Sequence, residues 1–264
     1  PLTRRRAVLS PCEFRSLKPC DVKTGALARE VEVARRLVDK YHGKVPVLAS
    51  VFTPATMCQE LYNGWQNPYA FRALAENYGD DLEEGIKVMT EVTYKLIEEY
   101  VAAGVDGIFY AAQHMYERGL TREQYERFGT PYDLQAIEPA VKGCWFNMLH
   151  VHGDVNMYFD IAAKYPLQAF NWEDVLSGIT IEEVHKLLPD RIMVAGVDRH
   201  TDFRTGSREE QLRHMIRRVK DAAAQAPMNK LIIAGGCAQD TDIPDYRYDT
   251  LREAMETVFG LYDV

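Results

Sequence analysis

The sequence contains few cysteines and no long apolar run. Its five cysteines are scattered over 264 residues, unlike the dense cysteine framework of a disulfide-stapled secreted domain, so we expect reduced thiols. No stretch approaches the roughly 20 apolar residues that a membrane-spanning helix needs. Residues 1–6 carry charges with no apolar signal core behind them. These absences predict a cytoplasmic protein.

Basic residues are fewer than acidic residues in this sequence. The 31 lysines and arginines are outnumbered by 39 aspartates and glutamates, which gives a formal net charge of −8. Such a surface on average repels nucleic acids and anionic membranes, so we expect neither as a partner. The sequence also lacks repeats, low-complexity tracts and Gly/Ser linkers, and its prolines and glycines are dispersed. One domain over residues 1–264 is the simpler prediction.

Six short apolar runs predict strands, and amphipathic segments between them predict helices. The runs are continuously apolar, which is typical of a parallel sheet covered on both faces. They span residues 45–52, 107–112, 145–151, 167–172, 192–197 and 231–236. The clearest helical patterns span residues 26–42, 81–103, 208–226 and 248–261. The alternation of strands and helices predicts a parallel α/β fold.

No Gly-x-Gly-x-x-Gly turn follows any of these strands, which argues against a dinucleotide-binding, doubly wound sheet. The predicted architecture is therefore a (β/α)8 TIM-type barrel, whose chemistry sits at the carboxyl ends of its strands. Residues 11–23 are rich in turn formers and contain only one weak apolar run, 14–17, and the chain starts with Pro rather than Met. We expect a barrel that lacks or does not show its first one or two strands.

Two histidines, His150 and His152, stand at the end of the third apolar run. Side chains two residues apart on a strand point to the same face, about 7 Å apart along the backbone, so both imidazoles can reach one metal ion. The alternative is that one histidine packs in the core and the other is solvated.

A cysteine, Cys237, follows the last apolar run, which ends in two glycines. Glycine at this point lets the backbone turn sharply and expose the thiol. Together with His150 and His152, it offers three nitrogen and sulfur ligands and leaves a fourth position open, which is the arrangement of a catalytic zinc site. The alternative for Cys237 is a small buried hydrophobic side chain.

Other strand ends carry polar and aromatic side chains. Glu173 and Asp198 are candidates for a further metal ligand, a partner of a histidine ligand or a proton donor. Each is alternatively a cap or one half of a salt bridge. Because ligands bind in the cleft at this end of a barrel, we predict substrate contacts from a further set of side chains. These are Phe52, Thr53, Tyr110, Gln113 and Asn171.

The strand ends resemble the uroporphyrinogen decarboxylase superfamily, which includes zinc-dependent methyltransferases acting on methylated corrinoid proteins. Residues 45–56, with their Phe-Thr-Pro turn, are similar to the family's third strand, and residues 103–108 to the lead into the fourth. Residues 128–132 resemble the Pro-Tyr helix start that follows. Residues 171–173 and 194–198 look like the sixth and seventh strand ends. The resemblance extends from about residue 20 to the carboxyl terminus and implies the barrel fold.

The metal positions point to one branch of this family. In the methyltransferases a His-x-Cys pair on the fifth strand and a later cysteine after glycine hold zinc, and the matching residues here are His150, His152 and Cys237. Histidine in place of one thiolate makes a bound ion more Lewis-acidic, so zinc stays the expected metal and another divalent metal is the alternative. The decarboxylases use no metal and resemble a Gly-His pattern where this chain has Cys237. Their amino-terminal Met-Arg-Gln-Ala-Gly-Arg segment is absent from this sequence.

The resemblance implies a methyltransferase with one zinc per chain that moves a methyl group between a thiol or methyl ether and a separate corrinoid protein. The chain itself lacks a corrinoid signature, because Phe203 stands where the Asp-x-His-x-x-Gly motif starting at Asp198 requires glycine. Glu173 and Asp198 would position the substrate or manage its proton. The decarboxylase branch makes a homodimer a reasonable expectation. The alternatives are cofactor-free decarboxylation of uroporphyrinogen and a ligand-binding barrel without turnover.

Overall fold

The structure, a computed structural model, describes residues 7–41, 43–62, 67–204, 206–239 and 241–260. Six strands form a parallel sheet in chain order. They are β1 (Leu48–Phe52), β2 (Gly107–Ala112), β3 (Met148–Val151), β4 (Ala169–Asn171), β5 (Ile192–Val197) and β6 (Leu231–Gly235). Within the described ranges the sheet is not closed. The prediction of a parallel α/β fold that lacks the first strands of a TIM barrel is thereby confirmed.

Helices connect these strands. They are α1 (Gly25–Tyr41), α2 (Pro54–Tyr62), α3 (Pro68–Asn77), α4 (Gly79–Ala102), α5 (Arg122–Phe128), α6 (Thr130–Ala136), α7 (Glu138–Gly143), α8 (Phe159–Ala162), α9 (Asp174–Ser177), α10 (Ile181–Leu187), α11 (Arg208–Ala223) and α12 (Asp245–Phe259). The four predicted helical patterns correspond to α1, α4, α11 and α12. Their predicted end residues 42 and 261 lie outside the described residues. None of the helices in the described ranges is both long and apolar enough to span a bilayer.

The element boundaries differ from the prediction where a side chain competes with the strand ladder. The third run is predicted from residue 145, but β3 begins at Met148 because Asn147 is occupied with side-chain bonds to neighbouring elements. The weak run at 14–17 is not a strand. It overlaps a 3-10 helix, Pro11–Ser16, which is started by its proline and buries Phe14 completely. Helix α12 begins at Asp245 rather than 248, directly after Pro244.

The chain forms two compact units, residues 1–168 and 169–264. The first contains β1 to β3, with the registers Leu48↔Gly107 and Phe109↔Met148. The second contains β4 to β6. A single domain over residues 1–264 stays a prediction.

In the first unit, the buried side chain of Asn147 joins β2 to the segment before β3. Its Oδ1 accepts a hydrogen bond from the Ile108 amide at 3.0 Å, and its Nδ2 donates to the Ala140 carbonyl at 3.0 Å. Gly107 allows β2 and the segment before β3 to approach this closely, because a Cβ there would lie 1.6 Å from the Phe146 carbonyl oxygen. The glycine that begins β2 is therefore a packing requirement.

In the second unit, Asn171 plays a comparable part at the end of β4. Its Nδ2 donates to the Val194 carbonyl at 2.7 Å and to the Gly235 carbonyl at 3.2 Å, so one amide group contacts all three strands of the unit. Behind β5, an apolar cluster packs between α11, α12 and the loops beside them. Its buried members are Val197, Phe203, Met215, Val219, Ile243 and Ala254.

A buried carboxyl group lies among tyrosines in the first unit. The Oδ2 of Asp133, on α6, accepts hydrogen bonds from the hydroxyls of Tyr125 and Tyr165, both at 2.7 Å. Tyr110 on β2 donates to the Asp133 backbone carbonyl at 3.4 Å. Within the described ranges Oδ1 has no hydrogen-bond partner. Burial raises the pKa of Asp133 to about 7, although the hydrogen bonds from the tyrosines oppose the shift.

This carboxyl group gives folding a pH dependence. Because the pKa of Asp133 is raised from 3.8 to about 7, the folded chain binds more protons than the unfolded chain between those values. Its contribution to stability is therefore fully present below about pH 4 and is lost as the pH rises to about 7, by roughly 4 kcal/mol at most. We expect Asp133→Asn to remove this decline, measured as urea unfolding between pH 5 and 8.

The control is Asp221→Asn, which changes an exposed carboxyl on α11. It should keep the pH dependence of the wild type. An equally steep decline in Asp133→Asn would contradict the assignment.

Candidate functional site

Strand β3 ends at the two predicted histidine ligands. His150 lies within the strand, is 3% exposed, and stacks its ring against Phe109 of β2 with the centroids 5.3 Å apart. His152 follows the strand, and its amide donates to the Ala112 carbonyl at 3.0 Å, which extends the β2–β3 pairing. The two imidazole centroids are 5.7 Å apart. Strand pairing and ring stacking thus hold the imidazoles side by side.

At the end of β6, Gly236 and Cys237 follow one another. A Cβ on Gly236 would lie 2.3 Å from the Glu173 Cα and 2.6 Å from the Trp172 carbonyl oxygen. The φ of Gly236 is not positive, so this glycine is required by close approach to the end of β4 and not by a sharp turn. Cys237 is half-buried, and burial raises the pKa of its thiol, opposed by the guanidinium of Arg199.

The three predicted ligands share the donor chemistry that zinc prefers. His150 and His152 each offer an imidazole nitrogen, and Cys237 offers a thiol sulfur. Imidazole nitrogen and thiolate sulfur are common zinc ligands. The donor set fits zinc in both atom type and number.

Glu173, a predicted catalytic carboxylate, forms an ion pair with Arg199. The Arg199 Nε lies 2.6 Å from Oε1 of Glu173, and His200 Nε2 lies 3.5 Å from the same oxygen. Glu173 is 7% exposed. Because burying a carboxylate this deeply is costly without a charged partner, the ion pair with Arg199 offsets the cost of burying Glu173.

Asp198, the second predicted carboxylate, caps its own turn. Its Oδ1 accepts a hydrogen bond from the His200 amide, and its Oδ2 accepts one from the Thr201 hydroxyl, both at 2.8 Å. The Asp198 amide donates to Asp202 at 2.8 Å. These contacts order the loop after β5, and a catalytic role for Asp198 stays a prediction.

Two predicted substrate contacts lie at the end of β1. Phe52 is 42% exposed and lines an apolar cavity of about 400 Å³ that also includes Leu27, Met89 and Tyr100. The next residue, Thr53, is buried, and its hydroxyl forms a hydrogen bond of 2.9 Å with the hydroxyl of Thr56.

The other three predicted contacts differ in their surroundings. Tyr110 is fully buried, with its hydroxyl directed to Asp133. Asn171 is buried at the end of β4. Gln113 is half-buried after β2, and its backbone amide donates to the Thr56 hydroxyl at 3.3 Å. A role in substrate binding stays a prediction for these residues, as it does for Phe52 and Thr53.

His114, two residues after β2, is a buried histidine to which the sequence pattern assigns no role. It is 2% exposed and stacks on Phe71 with the ring centroids 4.4 Å apart. In the part of the chain that the structure describes, neither ring nitrogen has a hydrogen-bond partner. Burial lowers the pKa of His114 to about 3, and the nearby His152 adds to this shift. The imidazole is therefore neutral at physiological pH.

His114 has a recognisable position in the sequence. It stands two residues past the end of its strand, as Glu173, Arg199 and Cys237 do past theirs. This shared spacing after a strand is the sequence signal that identifies His114 and Arg199 as candidates, because the functional residues of a barrel lie at the carboxyl ends of its strands.

We expect His114→Phe to be at least as stable as the wild type. A buried polar group without a partner costs roughly 1–3 kcal/mol, and a phenyl ring keeps the stacking on Phe71 without that cost. The comparison is His214→Phe, which should be destabilising because it removes a 2.6 Å contact to the fully buried Asp202. Thermal unfolding of both variants measures the difference, and equal losses of stability would show that His114 has a structural partner.

Comparisons with known proteins agree with this architecture. Residues 1–258 match the model of the uroporphyrinogen decarboxylase (URO-D) family. No curated protein sequence matches the chain. Among solved structures, a methyltransferase from Methanosarcina mazei is similar with a TM-score of 0.74 and 16% identity, covering 92% of this chain and 70% of that one.

Two further solved structures share the fold. A B12-independent methionine synthase from Shewanella sp. W3-18-1 has a TM-score of 0.62 at 16% identity, covering 88% of this chain and 65% of its own. A putative B12-independent methionine synthase from Listeria monocytogenes has a TM-score of 0.56 at 16% identity, and the match covers 89% of this chain and 70% of that chain. At this identity the likeness establishes the fold alone. The family match covers nearly the whole sequence, so the chain belongs to the uroporphyrinogen decarboxylase family.

Proposed function

We propose that this chain is a zinc-dependent methyltransferase that moves a methyl group between a small substrate, a thiol or a methyl ether, and a corrinoid protein. The observation that carries the proposal is the donor set of His150, His152 and Cys237 in a member of this family. A solved methyltransferase and two methionine synthases share the fold, which supports a methyl transfer. Because the two synthases are B12-independent, the corrinoid partner rests on the family resemblance alone.

The chain would hold the ion in a preorganised way. His150 stacks on Phe109, and the backbone of His152 is bonded to Ala112, so the strand end that carries both imidazoles is ordered before a metal binds. One zinc per chain would activate the sulfur of a thiol or polarise the oxygen of a methyl ether. Two neutral imidazoles and one thiolate leave a net positive charge on the ion, which suits either role.

Carboxylates complete the proposed site. Glu173 and Asp198 would orient the small substrate or accept the proton of an acceptor thiol. Glu173 is the stronger candidate, because its Oε2 lies 3.5 Å from the nearest Arg199 nitrogen, whereas both oxygens of Asp198 accept shorter bonds within their own turn. Of the predicted substrate contacts, Gln113 is favoured because it is only half-buried at the end of β2.

The corrinoid in this proposal belongs to a separate protein, since Phe203 replaces the glycine of a corrinoid-binding signature in this chain. Residues 1–264 are proposed as one barrel domain. A homodimer in the cytoplasm completes the proposal and follows from the family resemblance and the composition.

Elemental analysis tests the metal site directly. We expect about one zinc per chain in the wild type after anaerobic reconstitution, and a loss of zinc in His150→Ala, His152→Ala and Cys237→Ala, because each change removes one ligand of three. The matched control is Cys20→Ala, an exposed cysteine outside the site, which should keep its zinc. A wild type without metal would contradict the proposal.

A second candidate function is decarboxylation of uroporphyrinogen without a metal, and the family match over residues 1–258 favours it. The test incubates metal-free wild type and Cys237→Ala with uroporphyrinogen and measures the loss of carboxyl groups. Equal conversion by both proteins would support the decarboxylase and exclude Cys237 from its mechanism. No conversion by the metal-free wild type would exclude this candidate.

A further inference from the structure

The strand ends of the second unit carry three side chains in equivalent positions. Glu173, Arg199 and Cys237 each stand two residues past the last residue of β4, β5 and β6. Because neighbouring parallel strands end at the same edge, residues at this spacing are brought close to one another. The middle residue of the three is the arginine, to which neither the proposed metal site nor the proposed proton transfer assigns a role.

The guanidinium group of Arg199 contacts both neighbouring strand ends. Its Nε lies 2.6 Å from Oε1 of Glu173, and its Nη2 lies 3.5 Å from Oε2. On its other side, Nη1 donates to the backbone carbonyl of Ala238 at 2.9 Å. One side chain therefore connects the carboxylate after β4 to the peptide that directly follows Cys237.

This connection requires an arginine. A guanidinium holds its donors in a rigid planar fork, so it can serve a carboxylate and a carbonyl on opposite sides at once, whereas a lysine ammonium is a single point charge on a flexible stem. The partner carboxylate is 7% exposed, and the Arg199 side chain is 22% exposed. Hydrogen bonds between charged groups with so little access to water are among the stronger ones in proteins.

The backbone on the Cys237 side is already constrained. Gly236 lies so close to the end of β4 that no side chain fits there. With Gly236 packed against Glu173 before the cysteine, and Arg199 bonded to Ala238 after it, the peptide that carries Cys237 is held on both sides.

We propose that Arg199 is a positioning residue that fixes the backbone of Cys237 and Ala238 against Glu173, and thereby sets the direction of the Cys237 thiol. The consequence for metal binding rests on the proposed function, whereas the fixing of the backbone does not. Arg199 acts through Cys237 and does not itself bind the ion.

Backbone hydrogen exchange, followed by mass spectrometry on metal-free protein, tests the proposal in Arg199→Gln and Arg199→Lys. We expect the segment 236–239 to exchange at least about fivefold faster in both variants, because neither side chain can bridge Glu173 and Ala238. The control Arg208→Gln removes a surface ion pair with Glu253 on α12 and should leave this segment unchanged. Unchanged exchange in the Arg199 variants, or a uniform rise across residues 169–264, would overturn the proposal.

Zinc affinity, measured by competition with a chelator, gives the second readout. We expect it to fall at least about tenfold in both Arg199 variants, with no rescue by lysine. Faster local exchange with unchanged zinc affinity would contradict the claim that Arg199 sets the direction of the Cys237 thiol. A wild type that binds no zinc would defeat the proposed function, while the exchange experiment would still decide whether Arg199 fixes the backbone.

Discussion

The parallel direction of the strands is the constraint on which the rest of this structure depends. Because the strands run the same way, their carboxyl ends meet at one edge of the sheet. All the candidate functional side chains lie within two residues of such an end, from Thr53 after β1 to Cys237 after β6. Within each unit, residues far apart in the sequence thus become neighbours, as Glu173 and Arg199 do. The chemistry of the protein is a consequence of strand direction first and of side-chain identity second.

Close backbone approach is the second requirement of this arrangement. Gly107 lets β2 pass the Phe146 carbonyl, and Gly236 lets the end of β6 pass the end of β4. A side chain at either position would collide with backbone atoms, which cannot move aside as a flexible side chain can. Asn147 and Asn171 then join the strands by side-chain bonds to backbone groups. The edge that carries the candidate site is held by these small and polar residues as much as by its apolar core.

The buried polar groups of the chain fall into two kinds. Glu173 and Asp202 are paired with cations, so their charge stabilises the loops around them. His114 has no partner among the described residues, and one oxygen of Asp133 lacks one too. Buried polar groups without a hydrogen-bond partner lower the stability of the fold, and proteins tend to retain such groups where function requires them. The neutral His114, at the end of β2, lies in the region where a binding role is expected.

Much of this architecture can be predicted from local sequence. The apolar runs at 107–112 and 192–197 coincide with β2 and β5, because uninterrupted apolar residues of strand length are typical of a parallel sheet covered on both faces. The same pattern identifies His150, His152 and Cys237 as residues at strand ends. It is less accurate at 145–147 and 14–17, where contacts with distant residues override the local preference.

The sequence by itself determined the order of the six strands, the helices α1, α4, α11 and α12, the family, and the set of side chains at the carboxyl edge. Only the tertiary structure decided the partner of each side chain. It directs Tyr110 to Asp133, bonds Arg199 to Glu173 and Ala238, and leaves His114 without a hydrogen bond. The physical reason is that apolar periodicity is a property of neighbouring residues, whereas hydrogen bonds and close approach join residues that the chain brings together only when it folds.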